Sequence, residues 1–130
     1  MKLAPLPIAF LALLLAGCDP AVGVRSVPDD PAAATRFYVD RIAMLDDAGP
    51  TLNAVIAYDR DAAAKSRALA GTGPLGGRAV LIKDNIETRE WPTTAGSLAL
   101  ADNLTGRDAP LVARLRSAGG VVLGKTNLSE

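Results

Sequence analysis

The chain has 130 residues, room for one small domain at most, and its 14 basic side chains balance 14 acidic ones. That balance gives no reason to expect nucleic acid as a partner. One cysteine excludes an internal disulfide, and the lack of histidine removes the commonest general base and metal ligand, so neither a metal site nor a cofactor is expected.

Residues 1–17 read as a secretory signal outside the fold. Lys2 supplies the positive end, residues 3–15 are apolar and too short to span a bilayer comfortably, and the small Ala16 and Gly17 follow. Leu15-Ala16-Gly17-Cys18 resembles the bacterial lipobox, with the single cysteine where that motif needs it. The resemblance implies acylation of Cys18, which would become the new N-terminus. Each buried methylene of an acyl chain adds about 0.8 kcal/mol, so several chains anchor firmly. An exported, membrane-anchored lipoprotein on the periplasmic side is the expectation. Asp19 resembles the signal that retains some such proteins at the inner membrane.

Residues 18–30 have no periodicity and carry Pro20, Gly23 and Pro28, so they read as a tether. The domain then runs over residues 31–130. Asp30-Pro31 predicts a helix start, with Asp30 as cap. Ala34, Tyr38, Ile42 and Leu45 fall at helical spacing and predict an apolar face, with the end near Gly49-Pro50. Residues 52–58 are apolar and partly β-branched, which predicts a strand. Asp59 or Asp61 is expected to cap a second helix through about Leu69, and residues 71–74 break it.

Residues 79–83 form the next apolar run and end on Lys83. A charged group at the tip of a buried strand is costly unless paired or working. Asp84-Asn85 is a turn signal. Residues 87–104 read mostly as loop, with a short helical turn over 97–101. Asp108 is expected to cap a helix that tolerates Pro110 and carries Leu111, Leu115 and Ala118 on one side. Gly119-Gly120 ends it, and residues 121–123 predict a second buried strand. Strand, crossover, helix and strand make a βαβ unit, with parallel strands and a right-handed connection.

Two nucleotide-binding patterns are present and both fail on context. Residues 71–76 satisfy G-x-G-x-x-G, but a helix precedes them and a strand follows, the reverse of the order that brings a pyrophosphate to a helix N-terminus. Residues 119–126 satisfy G-x-x-x-x-G-K-[ST], but the strand lies inside the pattern and its first glycine is a helix cap.

Five spaced blocks carry a family resemblance. They are residues 73–77 (Gly-Pro-Leu-Gly-Gly), 80–86 (Val-Leu-Ile-Lys-Asp-Asn-Ile), 93–97 (Thr-Thr-Ala-Gly-Ser), Ala113-Arg114-Leu115 with Ala118-Gly119, and 124–130 (Gly-Lys-Thr-Asn-Leu-Ser-Glu). Together they resemble the amidase signature family, and the upstream Leu52-Asn53-Ala54 fits its N-terminal part. The sequence departs from the family where Gly76 and Ala79 stand, positions at which histidine and proline are frequent. The resemblance implies an α/β fold, the N-terminal part of a mixed sheet flanked by helices and containing the βαβ unit.

The resemblance also implies hydrolysis of a carboxamide C–N bond, in a small-molecule or peptide amide, by a serine, a second serine joined through a cis peptide, and a lysine. Lys83 matches that lysine. Both serines belong to a Gly/Ser-rich segment that would follow Glu130, so these residues alone are expected to be inactive. A serine hydroxyl needs a base to take its proton, and lysine can serve only when neutral. Its ordinary pKa is about 10.4, so the family scheme calls for a site that disfavours the ammonium. The simpler reading of Lys83 is a strand-end lysine reaching solvent. Asp84 and Asn85 are expected to shape the turn, and Ser97 and Lys125 to be structural. Export argues against the family's tRNA-amidotransferase branch, whose substrate is cytosolic. The alternative to an amidase is a non-catalytic, membrane-tethered remnant or interaction module.

Overall fold

The computed structural model describes residues 26–128. The expectations for the leader (residues 1–17), for Cys18 and Asp19, and for the first part of the tether lie outside the described residues. Among the described residues no helix is long and apolar enough to cross a membrane.

Asp30 starts helix α1 (Pro31–Arg41) as the residue types predict, its carboxylate accepting the Ala33 N–H at 2.8 Å. The chain then widens into a π-helical turn, Ile42–Asp47, and ends near Gly49. Of the predicted stripe only Ile42 is buried. Ala32, Thr35, Val39, Ile42 and Asp46 are buried, whereas Tyr38 is exposed. Two polar residues take inward positions because each finds a partner. Thr35 Oγ1 donates to Pro31 O at 2.7 Å and pairs with Ser66 Oγ at 2.8 Å. Asp46 accepts the N–H groups of Ala54 at 2.8 Å and Val55 at 3.0 Å. A buried polar group that is fully paired costs little, so helical spacing of apolar residues alone misplaces the face.

Strand β1 (Val55–Tyr58) is shorter than the predicted residues 52–58. Asn53 has φ +52° and the Asp46 carboxylate has captured the next two amides, so the ladder starts only at Val55. Helix α2 (Ala62–Ala68) follows, with Asp61 at the cap position but without a capping side chain. Asp59 shapes the corner instead. Its Oδ1 accepts the Asp61 N–H at 2.9 Å and its Oδ2 pairs with Lys65 Nζ at 2.7 Å. Burial acts to raise the Asp59 carboxyl, but the Lys65 and Asp61 hydrogen bonds and the lysine charge together hold it below its ordinary value. The folded chain therefore binds that proton less tightly than the unfolded chain. The stabilisation is full above the unfolded value and is lost as pH falls through the folded one. Lys65→Met is expected to flatten stability measured by urea unfolding between about pH 5 and pH 2, and to leave the neutral-to-alkaline dependence in place.

Strand β2 is Ala79–Lys83, as predicted, and a single 3₁₀ turn, Leu98–Leu100, interrupts the long loop. Helix α3 (Pro110–Ser117) begins after Ala109, and Asp108 is not its cap. The Asp108 carboxylate instead accepts the Arg89 N–H at 3.1 Å and pairs with Arg116 at 2.9 Å. Val112 is fully buried and Leu115 packs beside it as predicted, whereas the predicted Leu111 is exposed, so the inward side is centred on Val112.

Strand β3 (Val121–Thr126) is the centre of a three-stranded mixed sheet of order β1-β3-β2. It runs parallel to β2 and antiparallel to β1. Val121 and Leu123 pack with Val39, Ile42 and Ala62 on one face, while Val122 packs with Ile82 and Val112 on the other. Helices α1 and α2 thus cover one face and α3 the opposite one. The β2–β3 register pairs Val80 with Val122 and then Leu81 with Gly124, leaving Leu123 as an extra residue. A side-chain period of two would put Lys125 on the face of Val121 and Leu123. The bulge turns it to the other face, the face of Ile82, its register partner on β2.

Candidate active site at the carboxyl ends of the parallel strands

In open α/β sheets, ligand sites gather beyond the carboxyl ends of the strands. Here that end is built from Lys83, the turn after it, the loop over residues 93–97 and the end of β3. Lys83 is half-buried, with its Cα opposite that of Thr126. Strand alternation puts it on the side of Leu81 and opposite Ile82. The start of β1 reaches the same end, since Val55 pairs with Thr126. Asn127 clamps this approach, its N–H donating to Ala54 O at 2.8 Å and its side-chain amide to Asn53 O at 3.1 Å.

Backbone strain concentrates here. Among the described residues, the non-glycine positions with positive φ are Thr51 (50°), Asn53 (52°) and Ala95 (48°). The first two lie in the segment entering this end through β1. The third lies in the loop that crosses the end of β2, where the Ala95 N–H donates to Asp84 O at 3.3 Å. Such conformations persist only where surrounding contacts over-determine them.

At Ala95 the contacts that do so centre on Asp84, which is 1% exposed. Its N–H donates to Thr126 O at 3.0 Å, its Oδ2 accepts the Thr94 N–H at 3.2 Å and also the Thr94 hydroxyl, and its Oδ1 lies 3.2 Å from Lys125 Nζ. Lys125 is fully buried. Its ammonium donates to Ile86 O at 2.9 Å, Thr93 Oγ1 at 3.1 Å and Pro92 O at 3.4 Å. The lysine of the apparent phosphate-binding pattern is thus committed to carbonyls and a carboxylate inside the protein. Ser97, whose N–H donates to Thr94 O at 2.9 Å, stands in the turn beyond Gly96. Asn85 is exposed in the turn after Lys83. Among the described residues no cluster of three or more His, Cys, Asp or Glu side chains is placed to hold a metal ion.

Sequence reasoning identified Lys83 and treated Asp84 as a turn former and Lys125 as structural. The pairing of those two was missed. The available signal was a lysine embedded in an otherwise apolar strand, which requires a buried partner, together with an aspartate just past the tip of the neighbouring strand.

A helix-flanked mixed sheet with a lysine at the carboxyl end of its parallel strand pair defines an α/β domain. The family model described as Amidase matches residues 33–130, and the chain belongs to the amidase signature family. The native peptide amidase from Stenotrophomonas maltophilia superposes with a TM-score of 0.69 and 48% identity, over 78% of this chain and 22% of that one. An amidase family protein from Bacillus anthracis gives the same TM-score, 0.69, at 35% identity. Among curated sequences, the glutamyl-tRNA(Gln) amidotransferase subunits A of Salinispora tropica and of Azoarcus sp. strain BH72 are 42% and 45% identical, over 74% and 72% of this chain. The chain spans about a fifth of the length of these curated relatives, 21% and 20%.

Proposed function

We propose that this chain is the N-terminal portion of a lipid-anchored amidase, with Lys83 as the base that activates a serine pair carried C-terminal to Glu130. The carrying observation is the position of Lys83, half-buried at the carboxyl tip of β2 inside the stretch that matches the family. In this scheme neutral Lys83 takes the proton of the bridging serine. That serine takes the proton of the nucleophilic serine as its oxygen adds to the amide carbonyl. The tetrahedral intermediate collapses with proton return to the departing nitrogen, releasing ammonia or an amine. Water then cleaves the acyl-serine by the same proton relay, giving the acid. Backbone amides of the Gly/Ser-rich segment hold the oxyanion. The substrate class is a linear amide: a small amide, a peptide amide or an aryl amide.

The test is release of ammonia or amine from C-terminally amidated dipeptides, aliphatic amides and anilides by the purified product of the complete reading frame. Turnover of at least one class is expected, and none from residues 1–130 alone. Failure on all three classes would overturn the amidase reading. The anchor is tested separately: Cys18→Ser is expected to move the protein from the membrane fraction to the soluble fraction, because it removes the sulfur that carries the acyl chain.

A further inference from the structure

The proton relay leaves unused a buried ion pair that lies just behind Lys83. We propose that Asp84 and Lys125 are positioning residues that fix the direction in which Lys83 leaves the sheet; this rests on the reading of Lys83 as the base.

Asp84 is the next residue after Lys83, so whatever immobilises its backbone immobilises the peptide on which Lys83 ends. Four kinds of contact do this. The Asp84 N–H is held by Thr126 O, its carbonyl by the Ala95 N–H, one carboxylate oxygen by Thr94 and the other by Lys125. Lys125 extends the brace. Its ammonium gathers Ile86 O, Pro92 O and Thr93 Oγ1, so the loop crossing behind the strand tip is tied to the strand next to Lys83.

The placement has a specific structural origin. Without the bulge at Leu123, Lys125 would lie on the face of α1 and α2, away from Asp84 and from this loop. A buried charge pair adds little stability over well-packed apolar side chains, because removing two ions from water offsets their attraction. What such a pair provides is directional, multi-point holding. Lys125 is 0% and Asp84 1% exposed, and their combined partners come from β3, the turn and the loop, which are the elements that frame Lys83.

The experiment is a double-mutant cycle in the product of the complete reading frame, at a temperature well below the midpoint of unfolding. Asp84→Asn is nearly isosteric, and because it leaves the Lys125 charge buried without its counter-ion, kcat is referred to the folded fraction. Thr94→Val removes the hydroxyl that binds the same carboxylate. Asp84→Asn is expected to lower kcat by about 10- to 100-fold with KM little changed, the scale for a reacting group displaced by a fraction of an ångström to an ångström. Thr94→Val moves kcat the same way by less. In a Lys83→Ala background, Asp84→Asn is expected to lower kcat no further, because its effect passes through the missing amine. An unchanged kcat per folded molecule, or an effect of equal size in both backgrounds, would reduce the pair to a structural role and overturn the proposal. Full activity of Lys83→Ala by itself would remove the base reading, and the positioning role with it.

Discussion

Lys83→Ala is expected to lower kcat for amide hydrolysis by about 10³- to 10⁵-fold and to leave KM nearly unchanged, as found when one member of a catalytic unit is removed. The split between the two constants follows from geometry. A base that acts on a serine contributes to the transition state and not to ground-state binding. Lys83→Met, which keeps the length and apolar stem of the side chain, is expected to be as inactive as Lys83→Ala. That pair of variants separates loss of the amine from loss of packing against the tip of β2. Steady-state release of ammonia from a peptide amide, with the folded fraction checked by circular dichroism, measures both. A Lys83→Met variant retaining near-full activity would show that the amine is not needed.

Gly119→Ala is expected to cost about 3 kcal/mol or more of stability, from overpacking and an unfavourable backbone acting together. Gly119 has φ +83°, and an added Cβ would lie 1.8 Å from Thr72 O. The atom it meets is backbone, which cannot swing aside. The same close approach carries hydrogen bonds from Leu75 N–H to Ala118 O and from Gly77 N–H to Gly119 O, each 2.8 Å, which fasten the loop between α2 and β2 to the end of α3. Gly71→Ala is the control. Gly71 has φ +74° but nothing within 4 Å of its notional Cβ, so it loses only the left-handed preference, about 1 kcal/mol. Urea unfolding of the two variants isolates the effect of the close approach. Equal costs at the two positions would show that the contact is relieved without penalty. These two glycines are the first residues of the two apparent nucleotide-binding patterns. At Gly119 the absence of a side chain serves helix–loop packing, which explains how such a pattern arises without a phosphate.

Where local chemistry is self-contained, the residues announce the structure. Asp30-Pro31 starts α1 and the run from Ala79 to Lys83 is β2, because a cap and an apolar run bounded by turns need no distant partner. The parallel β2–β3 pair follows from the intervening helix, and the placement of Lys83 at its carboxyl end follows from both. What was not legible depends on partners far along the chain. Thr35 faces inward only because Ser66, 31 residues away, supplies a hydroxyl. Asp108 looks like a helix cap and is taken by Arg89 and Arg116 instead. The antiparallel docking of β1 on β3 and the bulge at Leu123 leave no periodic trace. For that reason Lys125 could be recognised as structural while its pairing with Asp84 could not.

The most direct test of Lys83 as the proton-accepting group is the pH dependence of kcat/KM for one peptide amide, measured for the product of the complete reading frame and for its Lys83→Ala variant. With Lys83 as the base, the wild-type rate rises with pH along a single ionisation that is missing from the variant, whose residual rate follows hydroxide alone. The same ionisation persisting unchanged in Lys83→Ala would assign the base to another group and contradict the placement of the active site at the tip of β2.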